Sequence, residues 1–191
     1  MSNNTDTISE ACTSIDRGDL ASAKSLIGTK YPFQSMENSG RKYSDLQKSR
    51  IFFRDGFIDR YSGEKLIFPG ALRLLSRLMP EEFPYHPNWK TSECHIAYWQ
   101  LFPTIDHVVP VSRGGIDEEP NWVCTSQLRN SAKSNWLMEE LGWTIFDPGT
   151  LSEWDGQTKW FVNYVDQHIE LLNDNYLKSW HKAGEICLNE T

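Results

Sequence analysis

The sequence has no apolar run near the roughly eighteen residues that a membrane-spanning helix needs. It has no internal repeat and no low-complexity tract. Its four cysteines, Cys12, Cys94, Cys124 and Cys187, lie far apart and form no C-x-x-C pair, which argues against a cysteine-rich zinc cluster. The first residues, MSNNTDTISEACTS, lack the basic stretch and apolar core of a secretion signal. Free thiols and a cytoplasmic location are therefore expected. Basic charge is also scarce: 19 Lys and Arg face 26 Asp and Glu, a net charge of −7. That balance looks wrong for a protein that binds nucleic acid, but the charge is uneven. Residues 41–60 carry six basic and three acidic side chains, whereas residues 137–175 carry eight acidic side chains and Lys159 alone. The acid sits in one C-terminal block, which leaves room for a basic face elsewhere or for two plain solvated surfaces.

What is present suits one ordinary domain with additions: 191 residues, 39% hydrophobic, eight Trp. Spacing predicts two short helices over 6–29, broken at Arg17-Gly18-Asp19, then a linker over 34–41. A basic amphipathic helix is expected over 42–53. Leu66-Ile67-Phe68 reads as a strand, and Ala71 to Met79 as an apolar helix that Pro80 ends. The Pro- and aromatic-rich stretch 81–89 reads as an ordered loop, and 92–100 as a short helix. This region serves either as extra core or as a specificity insertion. Trp136, Leu137, Leu141 and Trp143 form an apolar stripe. Asp147-Pro148-Gly149 marks the best boundary, and two further helices follow over 151–183. The Trp residues at these spacings read as core.

The chemistry concentrates between Phe102 and Asn135. A β-branched run carries Asp106-His107. A loop with Arg113-Gly114-Gly115 follows, then a second apolar run from Asn121, then a helix-forming segment with Asn130 and Lys133. Thirteen residues separate His107 from Asn121, and eight separate Asn121 from Asn130. These gaps, with Asp-His-Val-Val-Pro-Val-Ser, Gly-Gly, Asn-Trp-Val and Asn-x-x-Lys around them, resemble the HNH endonucleases in their H-N-N variant. The resemblance runs from about Arg54 to Asn135.

It implies an α+β fold with a ββα-metal core, placed over 41–146 with an insertion at 64–100; the residue spacing adds a helical hairpin and linker over 1–40 and a helical extension over 147–191. It implies hydrolysis of DNA phosphodiesters that leaves 5′-phosphate and 3′-hydroxyl ends. His107 would be the general base, since a neutral imidazole can take the proton from water. Asp106 and Asn130 would ligate one Mg²⁺ or Mn²⁺ through hard oxygens. Asn121 would tie the loop to the backbone near His107. Lys133, one turn past Asn130, and Arg113 are candidates to meet phosphate, or are simply solvated. The partner would be double-stranded DNA, with restriction, phage defence and mobile elements as settings.

The family's two cysteine pairs fall here on Asp59, Ser62, Ser126 and Arg129, so no structural zinc is expected. An Asp59–Arg129 ion pair is one substitute for the metal. Two rivals stand beside the DNA nuclease. One is a non-catalytic nucleic-acid- or protein-binding module on the same fold, and the other an RNA-directed or toxin-type nuclease. His86, His95, His168 and His181 show no ligand-like spacing and are given no role.

Overall fold

The computed structural model describes residues 3–33 and 42–191; the linker expected over 34–41, and with it Arg41, lies outside them. The chain divides into two compact units, 1–39 and 40–191.

The first unit is the expected helical hairpin. Helices α1 (Asn4–Asp16) and α2 (Leu20–Lys30) each start on a side-chain cap: Asn3 accepts from the Thr5 amide, Asp19 from the Ser22 amide. Gly18 makes the turn at φ +76°, a conformation that favours glycine. The helices bury small residues, Thr7, Ala11 and Ala23, and Lys30 pairs with Glu10 at 3.0 Å.

The second unit is a helix-rich α+β arrangement around one small antiparallel sheet. Helix α3 (Asp45–Arg54) opens with a reciprocal Ser44–Gln47 capping box. Helix α4 (Pro69–Leu78) starts with proline, whose missing N–H would have had no partner there. Helices α8 (Thr158–Gln167) and α9 (Asn175–Glu190) pack with α3 and α4 around Phe52, Phe57, Phe68, Phe161 and Trp180. Fully burying one such ring is worth roughly 1.5–3 kcal/mol, so this cluster dominates the stability of the unit.

Three expectations fail here for physical reasons. Residues 147–191 do not extend an already complete core. Phe161, Val165, Leu177 and Trp180 supply much of it, and 146–156 threads through it, with the Phe68 amide donating to Gly156 O. Asp147 therefore marks no domain edge. Leu66-Ile67-Phe68 is not a strand. Its three amides donate to Phe57, Leu101 and Gly156, three different segments, so no ladder forms beyond an Ile58–Lys65 bridge. The apolar stripe after the motif helix does not stack as one face. Ser134 takes φ +48°, the chain turns, and Trp136 is left 53% exposed, while Met138 is buried and Trp143 packs on Tyr61.

The inserted region is core. Tyr98, on the short helix α5 (Ala97–Gln100), is buried among Phe83, Tyr85, Trp89 and Phe102. Its hydroxyl donates to Leu72 O at 3.0 Å and lies 2.7 Å from the Ser76 hydroxyl; burial pushes its pKa up to about 12. No described helix is long and apolar enough to cross a membrane.

Candidate functional site

Strand β1 (Pro103–His107) pairs antiparallel with β2 (Trp122–Ser126), placing His107 opposite Trp122 and Asp106 opposite Val123. Helix α6 (Gln127–Lys133) follows at once, its first turn capped by the Ser126 hydroxyl, which accepts from the Arg129 amide. The order strand, loop, strand, helix is the one the residues predicted.

The connecting loop is built around Asn121. Its Oδ1 accepts from the Val109 amide at 2.9 Å, and its Nδ2 donates to Val109 O and Ile116 O at 2.8 Å each. One side chain thus replaces three backbone partners and fixes the chain just past His107. Gly115 is required beneath it, because a Cβ there would overlap the Val109 carbonyl oxygen.

Alternation along β1 sends Asp106 and His107 to opposite faces. On the Asp106 face, Asn130 donates from Nδ2 to Thr104 Oγ1 (2.9 Å) and Ile105 O (3.2 Å), which seats it beside Asp106. Asp106 Oδ2 accepts from the Tyr61 hydroxyl at 2.7 Å and lies 2.9 Å from the Lys133 ammonium. Burial, reinforced by the Asp106 carboxylate, holds the Tyr61 phenol far above its ordinary pKa, so it stays a donor. On the other face the His107 ring meets Trp122 and Asp117. A single hydrogen bond links the two groups: Lys133 Nζ donates to His107 O at 2.7 Å.

Lys133 therefore does not lie where a phosphate contact was expected. Its side chain is fully buried, because the ammonium finds a carboxylate and a carbonyl beneath the hairpin. Arg113 stays near the surface, paired with Glu140 at 2.9 Å. Four of the six basic side chains over 41–60 are paired within the protein. Lys48 pairs with Asp45, Arg50 with Glu190, and Arg54 and Arg60 with Asp55.

Asp106 and Asn130 fit a hard divalent cation. Among the described residues no hydrogen bond engages Oδ1 of either, and neither atom is a buried orphan sealed from solvent. Oxygens of this kind suit Mg²⁺ or Mn²⁺ rather than a softer ion. The Lys133 ammonium at Asp106 adds like charge beside an ion, so binding to the free protein would be weak. A second acidic group, Asp166 and Glu185 around His181, fits less well. Asp166 faces Nε2 and Glu185 faces Nδ1, and a ring can give an ion only one nitrogen.

The positions that the resemblance gives to zinc cysteines are joined without an Asp59–Arg129 pair. Asp59 is fully buried and accepts from the Tyr61 amide, the Thr125 hydroxyl and the Ser126 amide, each at 2.9 Å. Arg129 instead lies over the Trp143 ring, 5.8 Å from its centre. A carboxylate offers several lone pairs to amides, which a guanidinium cannot use in the same buried space. Asp55 repeats the device, accepting from the Cys124 amide at 2.8 Å. On this basis purified protein should carry well under one zinc per chain by elemental analysis, and chelators should leave its melting temperature unchanged. A stoichiometric, tightly held zinc would contradict the clamp.

Sequence reasoning missed Tyr61, Asp117, Trp122 and Tyr43 as parts of the site. Tyr61 and Trp122 stood inside recognised motifs without a role. Asp117 lies in a loop, where no periodicity links a side chain to a strand ten residues earlier. Comparison with protein-family models, curated proteins and solved structures returned no match.

Proposed function

We propose that this chain is a metal-dependent endonuclease of the HNH kind, with β1, β2 and α6 as its ββα-metal core and DNA as its substrate. The observation that carries the reading is the seating of the Asn130 amide on Thr104 Oγ1 and Ile105 O, which ties the Asn130 side chain to the strand that carries Asp106 and His107 and leaves Oδ1 of both Asp106 and Asn130 without a hydrogen-bond partner among the described residues. A lone Asp-His pair would carry nothing; the Asn121 clamp at the expected position adds weight.

When bound, the divalent cation supplies charge neutralisation at phosphorus and help for the leaving oxygen. The protein's own groups do the rest. His107 takes a proton from the attacking water. Asn121 holds the loop, and so the ring, in place. Tyr61 and Lys133 keep Asp106 oriented and its charge balanced before substrate arrives. Cytoplasmic residence and a role in restriction, phage defence or mobile elements belong to the same proposal.

The test is plasmid cleavage by pure protein with Mg²⁺ or Mn²⁺. Cleavage should require the metal and stop with EDTA, and RNA offered beside DNA should be cut more slowly. Asp106→Ala should abolish cleavage and weaken metal binding. Asn130→Asp should bind metal more tightly without DNA yet cut more slowly, because the added charge repels the phosphate. Absence of cleavage of any nucleic acid with either metal, together with DNA binding unaffected by His107→Ala, would favour a non-catalytic binding module.

A further inference from the structure

The His107 ring is held at one nitrogen. Nε2 lies 2.7 Å from Asp117 Oδ1 and 3.0 Å from Trp122 Nε1, and that indole nitrogen lies 3.3 Å from the same Oδ1. Tyr43 donates its hydroxyl to Oδ1 at 2.7 Å, and its ring meets Trp122 edge-on with centroids 4.9 Å apart. Two of these groups have fixed parts. An indole N–H only donates, and an ionised carboxylate only accepts. The Asp117 side chain is 42% exposed, as suits an ionised group. A separation of 2.7 Å between Nε2 and Oδ1 needs a hydrogen between them. With the carboxylate ionised, that hydrogen sits on Nε2; a protonated Nε2 cannot accept from the indole N–H that points at it from 3.0 Å, so the indole is left to donate to Oδ1 at 3.3 Å. A neutral ring protonated at Nε2 has its lone pair on Nδ1. Among the described residues Nδ1 has no hydrogen-bond partner, and it is not sealed from solvent.

We propose that Asp117 is a positioning residue for the reaction: it holds His107 in the Nε2–H tautomer and presents Nδ1 to the attacking water. This rests on the reading of His107 as the general base. Asp117 touches neither water nor phosphate in this role. It acts through the ring, in the manner of a carboxylate that orients an imidazole from behind. Tyr43, just before α3, and Trp122, on β2, fix Asp117 from two sides, so a loop residue gains a defined position.

The experiment compares wild type, Asp117→Ala, Asp117→Asn and His107→Ala in steady-state plasmid cleavage with Mg²⁺, with long-range proton–nitrogen NMR of the His107 ring alongside. Asp117→Ala should lower kcat by about 10–100-fold, the usual scale for losing an orienting partner. KM for DNA should stay within about twofold, because the interaction lost is not one with bound substrate. Asp117→Asn should recover part of the rate, since its carbonyl can still accept from Nε2. The wild-type ring should show a protonated Nε2 and an unprotonated Nδ1, and Asp117→Ala should show mixed tautomers. If Asp117→Ala cuts at the wild-type rate while His107→Ala is inactive, the positioning role is overturned and the base stands. If His107→Ala also cuts normally, the base itself falls. An unprotonated Nε2 in the neutral wild-type ring overturns the proposal whatever the kinetics, and that spectrum needs neither cleavage nor a folded variant.

Discussion

His107→Ala should reduce Mg²⁺-dependent plasmid cleavage by about 10²–10⁴-fold, the range for losing a general base. The Asp106 side chain lies on the opposite face of β1 and keeps its contacts to Tyr61 and Lys133, and Asn130 keeps the bonds of its Nδ2 to Thr104 and Ile105. Metal and DNA binding should therefore persist, which separates this variant from Asp106→Ala. The fold should persist too, because the ring sits at the end of β1, outside the aromatic clusters that hold the unit. Its loss leaves the Asn121 clamp intact, so the loop keeps its shape. Gel assays of nicked and linear plasmid over a time course, with binding measured in Ca²⁺, give the two readouts. Cleavage at the wild-type rate would remove this stretch from consideration as an active site.

Asp59→Ala should lower the free energy of unfolding by about 3–5 kcal/mol, because it removes the acceptor shared by three buried donors. The side chain is fully buried, and three donors converge on it: the amides of Tyr61 and Ser126 and the Thr125 hydroxyl. Alanine leaves two buried amides and a hydroxyl without their shared acceptor, and each unmet buried donor costs about 1–3 kcal/mol. Asp59→Asn keeps the volume and one acceptor oxygen, so it should lose less. Urea unfolding of the three proteins, with equal slopes required for the comparison, measures the difference. A loss below about 1 kcal/mol for alanine would show that packing of the hairpin, not the carboxylate, carries the junction.

How much of this could be read in advance varied with the kind of information involved. The strands, the loop and α6 were legible because alternation, Gly-Gly punctuation and an Asn after Pro120 are local signals. The role of Asn121 in the loop came from the family resemblance, and the local Pro120-Asn121 signal only agreed with it. Lys133 was misread because a lysine on a short helix is ordinarily solvated, and only the fold shows that a carbonyl and a carboxylate wait beneath it. The two readings of the basic block over 41–60 could not be separated in advance: charge counts record side chains, not the acids that answer them, such as Asp55 beside both Arg54 and Arg60. Residues 66–68 have the composition of a strand, but strand formation needs a continuous neighbour. Their partners come from three separate segments. Asp117 was invisible because its meaning lies in reaching a ring ten residues back across a turn.

The two clamps join residues far apart along the chain: Asp59 reaches 66 residues to Thr125, and Asp55 reaches 69 to Cys124. During synthesis at about 5–20 residues per second, these carboxylates wait roughly 3–13 s for the strand they will hold. A hydrophobic edge left open for that interval would invite association with other chains, whereas two carboxylates simply stay hydrated. The hairpin of β1 and β2 has its partners at most 23 residues apart, so it can close first and meet the clamp afterwards. Tyr61 reaches Asp106 only when that docking occurs, so the site should acquire its final shape late in folding. In refolding experiments, recovery of cleavage should then follow the return of native tertiary fluorescence rather than the earlier return of helical signal.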